Sequence, residues 1–93
     1  MSWTFLTNHA HVLICLSRDA DMRLRDLAQA VGITERAVHR IITNLEEEGY
    51  LTISKEGRRN HYIVHLHHPM RHPVEAGASL DDLVRFLNTS KTS

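Results

Sequence analysis

No apolar run in these 93 residues comes near the roughly 18 consecutive residues needed to span a bilayer. The opening MSWTFLTNHA lacks the basic-then-apolar order of a secretory leader, so a cytoplasmic location is expected. Cysteine is nearly missing. The lone Cys15 cannot form a disulfide within the chain, and its apolar surroundings suit a small buried thiol. The sequence also lacks a glycine-rich phosphate loop, a nucleophile elbow, a His-Glu-x-x-His zinc signature and a paired carboxylate set. A domain this small leaves little room for a reaction pocket, so neither catalysis nor a cofactor is expected. Net charge is absent too, with 11 Lys and Arg against 11 Asp and Glu, which taken alone argues against a strongly electrostatic nucleic-acid binder.

What is present points elsewhere. A composition of 42% hydrophobic and 24% charged residues fits one compact domain, near the size at which a single core is only marginally sufficient and a partner chain helps. Charge is neutral in sum but uneven in placement. Between Thr34 and His65 the cations are Arg36, Arg40, Lys55, Arg58 and Arg59, whereas Glu46, Glu47 and Glu48 stand together. Folded onto opposite ends of the domain, these groups leave one basic face.

Periodicity supplies the elements. NHAHVLICLS, from Asn8 to Ser17, reads as a first helix capped by Thr7 or Asn8, with Val12, Leu13 and Leu16 inward. Leu24, Leu27, Ala28 and Val31 fall at i, i+3, i+4 and i+7 on a second helix that Gly32 ends. Thr34 then caps a third helix, Glu35 favours its positive end, and Val38, Ile41, Ile42 and Leu45 repeat the same spacing up to Gly49. With Gly49 just past the helix end, Leu45 and Tyr50 are the pair that touch in a Schellman motif. LTISKE alternates, GRRN is turn-like and HYIVHL alternates again, so residues 51–66 read as a two-stranded hairpin with Tyr62 and Val64 packed inward against Leu51 and Ile53.

Two helices joined by a tight turn and followed at once by a hairpin is the order of a winged helix-turn-helix. The fold expected is mainly α with a small β-hairpin: a three-helical core, a β-wing and an additional C-terminal helix. The stretch LRDLAQAVGITERAVHRIITNLEEEGYLTISKEGRRNHYIV, residues 24–64, resembles the DNA-binding part of small prokaryotic winged-helix regulators of the MarR-like and ArsR-like kind. The resemblance implies a transcriptional regulator, a repressor ahead of an activator, that pairs as a homodimer and reads two half-sites on double-stranded DNA.

Chemistry points the same way. Beside the cap Thr34, the third helix has an outward face of Glu35, Arg36, His39, Arg40, Thr43 and Asn44, side chains that read base edges and phosphates when a helix over residues 34–48 enters the major groove. On the wing, Arg58 and Arg59 are expected over the neighbouring backbone or minor groove, with Lys55 and Asn60 at phosphates. A winged helix that binds protein instead would show an apolar outward face on its third helix, and this one is polar.

His61, His65, His67, His68 and His72 crowd together and raise a metal-responsive regulator as an alternative, since histidine suits zinc, copper or nickel. The cluster brings no cysteine, His67 and His68 are adjacent, and Pro69 and Pro73 break the segment, so no defined metal site is expected from it. Beyond residues 1–66, residues 67–78 read as a linker and residues 79–93 as a helix and tail. Ser79 caps that helix, Asp81 and Asp82 suit its first turn, and Leu80, Leu83, Val84, Phe86 and Leu87 form an apolar stripe for packing or dimerisation.

Overall fold

A computed structural model describes residues 3–90, so the tail 91–93 of the expected C-terminal segment lies outside the described residues. The elements follow in the order α1 (Asn8–Arg18), α2 (Leu24–Val31), α3 (Glu35–Glu47), β1 (Leu51–Glu56), β2 (Arg59–Val64), a 3-10 turn (Pro73–Glu75) and α4 (Leu80–Ser90). Thr7 is the cap of α1, its Oγ accepting from the Ala10 N–H at 3.2 Å, and Thr34 does the same for α3 from Ala37 at 3.0 Å. Each cap satisfies one of the donors that a helix start leaves without a partner.

Helix ends are set as firmly as helix starts. Gly32 takes φ +86°, a backbone that side-chain-bearing residues rarely adopt, and lets the Ile33 N–H return to the Ala28 carbonyl at 3.1 Å. At Gly49, also at φ +86°, both bonds of a Schellman end form: Tyr50 N–H to Leu45 O at 2.9 Å and Gly49 N–H to Glu46 O at 3.1 Å. The chain therefore passes from α3 into β1 without a loop.

One core serves the whole chain. Val12, Leu13 and Leu16 of α1 meet Leu27 of α2, the Val38, Ile41, Ile42 and Leu45 stripe of α3, and Leu51 and Tyr62 of the hairpin. The hairpin is antiparallel with Leu51 opposite Val64 and Ile53 opposite Tyr62, which puts the expected apolar residues on one face. Its turn is tighter than expected. Only Gly57 and Arg58 lie between the strands, and positive φ at Gly57 alone is the mark of a type II′ turn. Arg59 and Asn60 are thus strand residues, not turn residues. The Tyr62 N–H also reaches the Ala20 carbonyl at 2.9 Å, tying β2 to the connection between α1 and α2.

Residues 67–78 are more ordered than a free linker. A bridge joins Pro69 to Ser79, the Leu80 N–H bonds the His68 carbonyl at 3.0 Å, and Asp81 N–H bonds the Leu66 carbonyl at 2.7 Å. Tyr50 is buried and donates its hydroxyl to the Pro69 carbonyl at 2.7 Å; burial holds its phenol above the usual value, so it stays a donor. These bonds seat α4 on the core. Leu80 and Val84 are only 2% and 6% exposed, so two residues of the expected dimerisation stripe are used inside their own chain. Leu83 and Leu87 are half-buried and Phe86 is exposed. Ser79 contributes at the start of α4 in an unexpected sense: its N–H and hydroxyl both donate to the Asp82 carboxylate, at 2.9 and 3.3 Å.

Candidate nucleic-acid interface

Because Val38, Ile41, Ile42 and Leu45 bury one face of α3, the opposite face must point outward, and Glu35, Arg36, His39 and Arg40 are all exposed there. Among the described residues, no ion pair or hydrogen bond engages the side chains of Arg36, His39 or Arg40. Thr43 and Asn44 stand differently. The Thr43 hydroxyl donates back to the His39 carbonyl at 3.0 Å, and the half-buried Asn44 amide meets His9 Nε2 at 3.1 Å. Asn44 thereby joins α3 to α1 and lines a cavity of about 360 Å³ with Phe5, Leu13, Tyr50 and Leu83, a lining that includes neither Arg36 nor Arg40.

The acidic run is at the other end of the same helix. With about 1.5 Å of rise per residue, Arg36 and Glu46 are separated by about 15 Å along the axis, beyond the roughly 8 Å screening length of physiological salt. Along α3, then, the acidic run is set apart from Arg36.

On the wing, Lys55 and Arg58 are exposed and hold no partner among the described residues. Arg59 is exposed too, but its guanidinium donates to the Asp21 carbonyl at 3.0 Å. The Asn60 amide donates to the Tyr62 hydroxyl at 3.3 Å. Of the four wing residues expected to meet DNA, two are unengaged, Asn60 bonds within its own strand, and Arg59 ties the wing to the connection before α2.

Sequence reasoning passed over Arg23 and Arg25. Arg23 is the N-cap of α2 and makes no side-chain capping bond; with Arg58 and Arg59 it lines a cleft of about 280 Å³ between α2 and the wing. A signal was available. Helix N-termini disfavour cations, so Arg23 at the N-cap and Arg25 in the first turn of α2 run against the local field, with Asp26 the one acidic side chain in that turn.

A second feature missed is Asp21. Its carboxylate sits 2.8 Å from His61 Nδ1, and this hydrogen bond is the largest effect on the ring; it outweighs desolvation, which opposes it, and with lesser help from the charges of Asp21 and Glu56 raises the His61 pKa. A raised value means that the charged bond contributes to stability fully below about pH 6.5 and is lost as pH climbs through the native value. Asp21→Asn should therefore lower the midpoint of the His61 ring-proton titration in NMR. An unchanged midpoint would show that the bond does not form in solution.

Comparison with known proteins comes to the same architecture. Residues 7–52 match the family described as winged helix-turn-helix DNA-binding. The fold is similar to MepR, a transcription regulator of the Staphylococcus aureus multidrug efflux pump MepA, at TM-score 0.57 and 18% identity over 90% of this chain and 56% of that one. It is similar to the AntR antimony-specific transcriptional repressor at TM-score 0.53 and 21% identity, over 90% of this chain and 69% of AntR. Bordetella bronchiseptica BpsR, whose DNA binding is regulated by 6-hydroxynicotinic acid, gives TM-score 0.55 and 22% identity over 90% of this chain and 61% of BpsR. The chain thus spans little more than half of MepR and about three-fifths of BpsR. No curated protein matches the chain.

Proposed function

We propose, for a chain that carries a winged helix-turn-helix fold matched over residues 7–52 to a DNA-binding family, that it binds specific double-stranded DNA sites as a transcriptional regulator, most simply a repressor acting in the cytoplasm. The observation that supports this is the outward face of α3, where Arg36, His39 and Arg40 are exposed and none is spent on a partner within the chain. Their length and donors suit guanine and phosphate oxygens in the major groove, while Arg58 and Lys55 reach the backbone or minor groove beside it. This is a binding role rather than a catalytic one, and among the described residues no helix is long and apolar enough to cross a membrane.

The helix and the wing should contribute differently. Arg36→Ala or His39→Ala is expected to cost about 1–3 kcal/mol at particular base pairs and relax preference there. Arg58→Ala should weaken binding to all duplexes more evenly. Competition binding with point-mutated sites separates the two, and a preference altered by the wing change alone would reverse these roles.

Assembly belongs to the same reading. Phe5 is 94% exposed, Val74 87%, Phe86 69% and Trp3 60%, large apolar side chains left on the surface, and the Trp3 and Phe5 rings touch edge to face. Two copies pairing through α4, by Leu83, Phe86 and Leu87, with the Trp3–Phe5 segment contributing, would place two recognition helices roughly 34 Å apart and call for an inverted repeat. Sedimentation equilibrium should then give twice the mass of the chain. A monomer both free and on DNA would refute the pairing.

A further inference from the structure

We propose that Asp21, Glu56 and His61 form a binding site for a divalent first-row metal ion of the zinc class, one that fastens the wing to the connection between α1 and α2. The three residues come from three places in the chain: Asp21 precedes α2, Glu56 is the last residue of β1, and His61 lies within β2. One ligand atom from each lies within 4.8 Å of the other two, with His61 Nδ1 and Asp21 Oδ1 already 2.8 Å apart. Among the described residues no other group of histidine, cysteine and carboxylate side chains converges in this way.

Local structure explains why they meet. Across the ladder His61 faces Ser54 and Arg59 faces Glu56, so Glu56 and His61 stand diagonally on one face of the hairpin. The bond from Tyr62 N–H to the Ala20 carbonyl then brings Asp21 against that face. Arg59 donates to the Asp21 backbone carbonyl rather than to its carboxylate, so the only side-chain bond at the Asp21 carboxylate among the described residues is the one to His61 that an ion would displace.

The donor set selects the ion. One imidazole nitrogen and two carboxylate oxygens suit zinc, which takes three protein ligands at about 2.0–2.2 Å with water in the fourth position. Magnesium and calcium prefer all-oxygen shells and gain little from the imidazole. The ion replaces the proton shared between His61 and Asp21, and its two positive charges neutralise the two carboxylates. Asp21 and Glu56 are exposed and His61 partly so, which leaves a side open for that water.

Three of the four remaining histidines of the cluster have other tasks. His65 bonds the Thr52 hydroxyl at 2.6 Å, His68 bonds the Glu48 carbonyl at 3.1 Å, and His72 caps the 3-10 turn through Val74 N–H at 3.1 Å. The site therefore takes only His61 from that segment, and it stands independently of the DNA-binding reading.

Calorimetric titration of the metal-free full chain with zinc chloride tests it, with thermal melting as a second readout. One ion should bind per chain and raise the melting temperature, whereas magnesium chloride should do neither. Asp21→Asn, Glu56→Gln and His61→Gln, near-isosteric changes at solvent-accessible positions, should each weaken zinc at least about 10-fold while the far-UV spectrum stays that of the wild type. A His67→Gln/His72→Gln variant should bind as the wild type does. Absence of zinc binding, or equal affinity in the wild type and His61→Gln, would overturn the site, as would a loss confined to the His67/His72 variant.

Discussion

Affinity for duplex DNA should fall about 100-fold as monovalent salt is raised from about 50 to about 200 mM. Arg36, Arg40, Lys55 and Arg58 are exposed and carry no intramolecular partner, so each is free to displace a counterion from a phosphate. At about 0.9 log units per phosphate neutralised, these four give a slope near −3.6. Arg59 should add less, because part of its donor set is held by the Asp21 carbonyl. The steepness is informative because the chain has no net charge; it reports the placement of cations rather than their excess. Fluorescence anisotropy of a labelled duplex across salt concentrations measures the slope directly. A flat response would remove phosphate contact from the mechanism, whatever the fold.

Leu27→Ala should cost about 2–5 kcal/mol of folding stability. For a domain of this length the total is only about 5–14 kcal/mol, so the variant would stand near the edge of folding. The reason lies in α2, which is eight residues long and buries only Leu27 and Ala28. Leu27 is fully buried where α2 packs on α1 and α3, and its removal leaves a cavity and detaches the helix that precedes the tight turn at Gly32. Urea unfolding should show a lower midpoint with an unchanged slope. Leu24→Ala, at a half-buried position on the same helix, should cost clearly less. Equal losses at the two positions would mean that α2 is not anchored through Leu27.

Much of this architecture was legible before any coordinates. Leu24, Leu27, Ala28 and Val31, then Val38, Ile41, Ile42 and Leu45, announce two helices because a buried helical face recurs every three to four residues. Leu45, Gly49 and Tyr50 were readable as a Schellman end for an equally local reason. The wing tip was read two residues too long. A polar run such as GRRN looks like a loop, yet one glycine with positive φ lets a two-residue turn suffice, and Arg59 begins the strand instead. Asn44 lay on the polar side of the helical wheel, but a wheel does not show that His9 waits beside it. The same blindness hid Asp21 and His61, which are 40 residues apart in sequence. In α4 the apolar stripe was visible, whereas its division into Leu80 and Val84 inside and Phe86 outside depends on where the preceding backbone seats the helix.

The junction at Gly49 has a mechanical meaning. Since the Tyr50 N–H is bonded to the last turn of α3 and Leu51 already pairs with Val64, no slack separates α3 from the hairpin. The two behave as one lever: a small rotation of α3 within a groove swings the tip at Arg58 through a larger arc. On a duplex bound as proposed, the phase between the helix footprint and the tip footprint would then be a fixed property of the chain. Sites suited to it can differ in their bases but not in that phase, and a single residue inserted between Glu48 and Leu51 would shift the tip while leaving every groove-facing side chain intact.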